Sequence, residues 1–302
     1  MGIVLITRFT LLEALRRKLF LAIVTLSLLL LTVYAFLLHA LIGGLVSQQA
    51  PDGFSAQFVL LAGGIFISVP SIWVVYLLSG ILVIFLAAGM ISSELEAGTF
   101  AIIVPKPLRR YEVVLGKWLG YALLLGGYLA LLYFSFLGII YWTSSYWPEQ
   151  PWGALAWLEL STLALLGLTT LGSTLFPTLA NGAIALILFI SAPLTNFIAT
   201  FLKITEASQL GALPATSNET IQNIIAVTNL ILPSDALWHQ TSLTLLPLDV
   251  LNLLGTQDLS AQAFNLPLIN PQAITFPLVL WTVFYCLALP ILATWRFSRR
   301  DL

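Results

Sequence analysis

Long apolar runs separated by short polar stretches dominate the pattern of this chain. A helix rises about 1.5 Å per residue, so roughly 20 apolar residues cross a bilayer core. Six stretches reach that length: 19–42, 70–91, 118–142, 153–176, 178–202 and 274–295. The second has an indistinct start, because apolar character begins near Phe58. Pro70 is expected to separate an interfacial or re-entrant piece, 57–69, from the span itself. Counting that piece as a seventh span places the charges that follow on the wrong side.

The segments between the spans differ in kind. Residues 1–18 have no Pro, and no Gly after Gly2, and read as a helix lying along the membrane surface. Thr10, Glu13 and Arg17 share one face of it, and Val4, Leu12, Leu15 and Leu19 another. Arg8 interrupts the apolar face and must snorkel. The apolar run behind it is too long for a cleaved signal peptide. Residues 43–69 open on Gly43 and Gly44 and contain Pro51, Asp52 and Gly53, a flexible exit. Residues 203–273 hold no run long enough to cross. Ile221, Ile224, Ile225 and the stretch 243–254 nevertheless recur at near-helical spacing, interrupted by Pro214, Pro233, Pro247 and Pro267. The expectation is short amphipathic helices packed on the outer mouth of the bundle, partly dipping into the interface. Asn218, Glu219 and Thr220 match a glycosylation acceptor, a pattern too short to carry weight.

Composition agrees with a lipid-facing surface. Apolar residues make up 59% of the 302 and charged residues 8%, with a mean hydropathy of +1.00. Soluble domains carry about 25% charged residues. The charges are also segregated. Of the twelve Lys and Arg, all but Lys203 fall on one side of a six-span layout, at Arg8, Arg16, Arg17, Lys18, Lys106, Arg109, Arg110, Lys117, Arg296, Arg299 and Arg300. The positive-inside rule makes that side cytoplasmic, with both termini on it. Trp142, Tyr146, Trp147 and Trp152 gather at the opposite ends of spans three and four, as an interfacial belt would. The fold class expected is all-α integral membrane: six transmembrane helices, an N-terminal interfacial helix and short extracytoplasmic helices between spans five and six, in a single domain over 1–302. The lone Cys286 excludes an intramolecular disulfide and reads as a small buried or lipid-facing side chain.

The loop between spans two and three is the informative segment. Glu94 and Glu96 precede Gly98 and Thr99, then come aliphatics, Pro105, Lys106, Pro107, Arg109 and Arg110, and finally Gly116 and Lys117 entering span three. Gly98 is suited to stop a helix in the left-handed conformation, and the prolines enforce an extended or turning stretch before a new helix begins. On charge alone the basic residues are topogenic and the Gly and Pro merely turn the chain.

The order of the whole segment resembles the corresponding loop of ABC transporter permeases of the type 2 exporter class, over about 25 residues, and the six-span layout is similar along the chain. In that family the loop contains a coupling helix that docks on an ATP-binding subunit. The resemblance implies partner-binding roles for Glu94, Glu96, Gly98, Thr99, Pro107, Arg109, Arg110, Gly116 and Lys117. Pro105 departs from the family pattern, which has a small or polar residue there. It also implies a second permease copy, as homodimer or heterodimer, meeting through the first and fifth spans, with Gly182, Ala183 and Ala185 as candidate interface residues. A multi-pass protein of a bacterial plasma (inner) membrane is the expectation.

The chain has no phosphate-binding loop, since Lys117 is followed by Trp118 and lacks the preceding glycine loop. ATP and magnesium are therefore expected in the partner ATPase and no cofactor in this chain, which is not expected to be an enzyme. The alternatives are a non-transporting assembly subunit and an intramembrane enzyme. For the second, His39, His239 and Cys286 make no convincing set of nucleophile, base or metal ligands. An ion-coupled carrier is poorly supported, because Glu159 and His39 lie toward span ends, where water reaches them. No nucleic-acid role is suggested, and no substrate-binding or metal-binding residue is identified.

Overall fold

A computed structural model describes residues 2–47, 56–96, 110–207, 215–247 and 275–299. Among them are ten helices and no strand: α1 (Gly2–Arg16), α2 (Lys18–Ser47), α3 (Ala56–Ala87), α4 (Ser92–Glu96), α5 (Arg110–Ser144), α6 (Pro151–Leu175), α7 (Thr178–Ala207), α8 (Ala215–Ile231), α9 (Ser234–Leu245) and α10 (Phe276–Ser298). Six segments are long and apolar enough to cross a membrane, carried by α2, α3 with α4, α5, α6, α7 and α10. With antiparallel successive spans, Arg17, Lys117 and Arg296 fall at one end of the bundle, called here the basic end. The tryptophan belt lies at the other, where Trp142, Trp147 and Trp152 are exposed and Tyr146 is buried.

The second span corrects the expected break at Pro70. Helix α3 runs through it without interruption. A proline removes one backbone donor and displaces its turn. Pro70 removes only the ladder donor to the Phe66 carbonyl, and on either side of it Ser68 Oγ donates to Ile65 O at 2.7 Å and Ser71 Oγ to Ile67 O at 2.5 Å. Tyr34 of α2 meets Ser71 Oγ at 2.5 Å and ties the proline turn to the first span. The helix stops instead at Ala87, in a turn over 88–91 that precedes α4.

Spans two and three form the centre of the core, with Tyr76, Leu82, Leu86, Tyr133 and Phe136 fully enclosed. The first span lies at the edge and exposes Leu28, Leu29, Val33 and Phe36. Helix α1 packs parallel to the first turns of α5. A side chain at Gly116 would meet Ile6 Cβ at 2.8 Å, and one at Gly120 would meet Thr10 Cβ at 2.8 Å. Two glycines one turn apart thus let α1 come close, and Thr7 Oγ1 donates to Gly116 O at 3.0 Å. The packed face of α1 is therefore the small one, with Thr10 and Ala14 buried, while Val4, Leu12, Leu15 and Leu19 point outward.

Helices α8 and α9 form a hairpin that goes deeper than the expected outer mouth. Proline placement explains the two short helices: α8 begins after Pro214, Pro233 caps α9, and α9 ends before Pro247. The tip meets Ser161, ten residues into α6, and Tyr285, nine residues into α10. At 1.5 Å per residue the tip lies about 15 Å below the outer ends of those spans, near the middle of a ~30 Å core. Irregular backbone at that depth must be satisfied by protein. Trp281 Nε1 donates to Leu230 O at 3.0 Å, Tyr285 Oη to Ile231 O at 2.6 Å, and Ser161 Oγ to Ser234 O at 3.3 Å. Tyr76 Oη donates to Ser234 Oγ at 3.3 Å and its ring stacks on Trp238. The part of the expected helical stretch 243–254 beyond 247 lies outside the described residues.

Candidate functional site

Among the residues singled out in the basic loop, Glu94, Glu96, Arg110, Gly116 and Lys117 fall in described segments. Gly98, Thr99, Pro107 and Arg109 lie outside them. Arg110 opens α5, and Gly116 is occupied in the packing against α1. The remaining three build a compact polar cluster around the turn at 88–91.

That turn follows from the sequence Ala87-Ala88-Gly89-Met90, where the apolar stripe of α3 ends at Gly89. Carbonyls at a helix end need outside donors. Lys117, two turns into α5, supplies one: its Nζ donates to Met90 O at 2.9 Å. The same ammonium pairs with Glu94 Oε1 of α4 at 2.5 Å, with the Lys117 side chain only 12% exposed. One lysine thereby joins the end of span two to the start of span three. Arg17 pairs with Glu13 at 2.8 Å and is close enough to Glu94 to feel its charge. Burial disfavours the Arg17 charge, while the hydrogen bond to Glu13 and the carboxylates of Glu13 and Glu94 favour it. Two acids and two bases thus balance where α1, α4 and α5 meet.

Glu96 performs a different task. Spans four and five are joined by only Phe176 and Pro177, so α7 starts abruptly with unsatisfied N–H groups. Glu96 Oε1 accepts from Thr178 N at 2.9 Å and from Thr178 Oγ1 at 3.3 Å. A carboxylate there satisfies a donor and faces the positive end of the helix dipole. Ser92 Oγ lies 2.8 Å from Thr178 Oγ1 and strengthens the same junction.

Asn181, which the sequence analysis did not single out, completes the cluster. It is buried, and its Nδ2 donates to Ala88 O at 2.8 Å and to Thr169 O at 2.9 Å. One amide therefore joins spans two, four and five. Gly172 makes room for it, since a side chain there would collide with Asn181 Oδ1. The available signal was an amide in the first turn of an otherwise apolar span, a costly placement unless it is satisfied.

The other candidates separate. Gly182 sits 3.5 Å, measured from an added Cβ, from Ala88 of its own chain, and Ala185 is buried in the same core. Both therefore face inward, which corrects their reading as interface residues; Ala183 is exposed. His39 is exposed, and Glu159 is half-buried beside Gly126 of α5. Cys286 is buried.

The arrangement is mechanical in character. Both carboxylates and the lysine are engaged in tying helices together, and the two chain ends that lead into residues 97–109 leave from this single cluster. A family model described as ABC-2 family transporter protein matches residues 6–302. No curated protein matches the chain.

Proposed function

The chain belongs to the ABC-2 family of transporters and is a multi-pass membrane permease of an ABC transporter; on that premise we propose that the loop 94–117 receives a separate ATP-binding subunit and passes its movement to the spans. Export of substrate by alternating access is the activity proposed, with a second permease copy completing the pathway. ATP and its magnesium belong to the partner subunit, and this chain contributes no catalytic group of its own. The family match over nearly the whole chain carries this reading.

The geometry supports it through the two flanks of the loop. Glu96 on one flank holds the start of span five, and Lys117 on the other holds the end of span two. A push on residues 97–109 is delivered through these bonds to spans two, three and five together, with α1 moving alongside α5. Nucleotide-driven closure of two ATPase subunits shifts the balance between two arrangements of those spans.

Purifying the chain with its partner ATPase, and measuring ATP hydrolysis in proteoliposomes, tests the proposal. Arg109→Glu is expected to lose at least tenfold of the permease-dependent ATPase stimulation while the chain retains its helical content. Unchanged stimulation and unchanged co-purification of the ATPase in that variant would overturn the loop assignment. A chain that binds the ATPase but moves no substrate in either direction would support an assembly subunit instead.

A further inference from the structure

We propose that Glu159 binds the charged group of an amphipathic organic monocation, whose apolar body lies along the outer faces of α5 and α6. The binding requires only that the chain sits in a bilayer; that such cations are the exported cargo rests on the transport reading above.

The placement of Glu159 carries the inference. Its carboxylate lies over Gly126 of α5, where an added Cβ would sit 3.1 Å from Oε2 and 3.5 Å from Oε1. Two rulers give its depth. Gly126 is nine residues beyond Lys117, which lies in the basic-end cluster, a rise of about 14 Å. Glu159 is ten residues from Thr169, whose carbonyl shares Asn181 with Ala88 O in the same cluster, a rise of about 15 Å. Both place the carboxylate near the middle of a ~30 Å core, deeper than the water-reaching span end expected from the sequence.

An acid at that depth pairs with a positive group or marks a pathway. Glu159 is half-buried and has no hydrogen bond or ion pair among the described residues. The bases of the chain are at other levels. Eleven of the twelve Lys and Arg belong to the basic side, and Lys203 is 25 residues beyond Thr178, about 38 Å up the fifth span. His39 lies about 32 Å up the first span, and His239 is buried beside Asp235. A second copy in the same bilayer has its bases at the same levels. The counter-charge therefore comes from a ligand.

The surroundings select the kind of ligand. A hard divalent cation takes six or more oxygens, and no group of three or more acidic, His or Cys side chains forms among the described residues. Thr162, one turn along α6, is buried and donates to Leu158 O. The rest is apolar: Leu155 and Leu163 flank Glu159 on α6, and Ala122 and Ala130 flank Gly126 on α5, all half-buried. Two turns above Glu159 the Trp152 and Phe134 rings meet edge-on at 4.9 Å. A fully hydrated ion gains little on such a surface. A weakly hydrated cation on a hydrocarbon or aromatic body keeps apolar contact and neutralises the acid.

The test measures binding of tetraphenylphosphonium, a lipophilic monocation, to the full-length chain in detergent micelles by equilibrium dialysis. Neutral triphenylphosphine oxide is the uncharged control, and empty micelles give the background. Saturable binding of the cation is expected, weakened roughly tenfold or more in Glu159→Gln and largely kept in Glu159→Asp. Gln keeps the shape and removes only the charge, and unchanged helical content confirms that the variant folds. Equal affinity in the wild type and Glu159→Gln, or saturable binding of the phosphine oxide as tight as that of the cation, overturns the site. Absence of saturable binding also overturns it and leaves Glu159 a protonated acid. Efficient self-crosslinking of Ala156→Cys, one turn away and exposed, overturns it by showing a second copy over Glu159. Proteoliposomes with the partner ATPase separate the two readings. ATP-driven movement of the cation that is lost in Glu159→Gln supports site and cargo together, whereas charge-dependent binding without movement keeps the site and overturns the cargo assignment.

Discussion

The cluster at the basic end and the tip of the α8–α9 hairpin solve the same problem with different chemistry. Each gathers the loose backbone of a helix end inside the bundle. The basic-end cluster uses charge: Lys117 on Met90 O and Glu94, and Glu96 on the start of span five. The hairpin tip uses neutral donors, Trp281, Tyr285, Ser161 and Tyr76, on Leu230, Ile231 and Ser234. Depth explains the difference. Near the membrane edge a charge keeps partial access to water, so it is affordable when paired; at the midplane indole, phenol and hydroxyl groups make the bonds to the loose backbone, and the one acid at the tip, Asp235 in the first turn of α9, is buried with His239 Nε2 3.4 Å away.

The largest effect expected concerns the charged clamp. Lys117→Met leaves Glu94 partly buried without its lysine and removes the donor at Met90 O. Breaking a fully buried pair costs about 3–5 kcal/mol, and the residual exposure of Glu94 reduces that figure. Thermal unfolding in detergent should drop clearly in the single variant and recover in large part when Glu94→Gln is added. A double variant no more stable than Lys117→Met would show that the pair is not the source of the stability.

An intermediate effect is expected at the hairpin tip. Tyr285→Phe removes the donor to Ile231 O and leaves the other caps intact, for a loss of about 1 kcal/mol. Protease cutting of the hairpin in proteoliposomes should rise modestly, with little change elsewhere in the chain. A loss as large as that of Lys117→Met would erase the distinction between the two clusters.

Glu96→Gln gives the smallest change. The side-chain oxygen still accepts from Thr178, so only the interaction of charge with the helix dipole is lost, about 0.3–1 kcal/mol. Stability should scarcely move, while substrate transport per ATP hydrolysed falls if the charge is part of the moving clamp. Unchanged coupling in this variant would reduce Glu96 to an ordinary helix cap.

Several features were legible along the chain because each rests on local physics. Apolar length marked six spans, and prolines marked both ends of α9 and the start of α8. Pro70 misled, because a proline within a span removes a single ladder bond and the helix can run on through it. Ser71 beside it is met by Tyr34 of another span, a contact that no local pattern shows. The loop at 94–117 was legible as a charged, family-like segment. That Lys117 reaches back to Met90, and Glu96 across to Thr178, was not, since both bonds join residues distant in sequence. Asn181 went unnoticed for the same reason, because a lone amide has meaning only through the two carbonyls it meets.

Sequence alone thus determined that this chain lies in a membrane, how many times it has the length to cross, and which loop carries the information, because hydrophobic length and charge segregation are properties of consecutive residues. Tertiary structure alone decided which face of α1 packs, how deep the α8–α9 hairpin goes, and that both flanks of the loop are bonded to one cluster. Those outcomes depend on close approach between helices and on which donor finds which orphaned carbonyl, and neither is set until the spans are side by side.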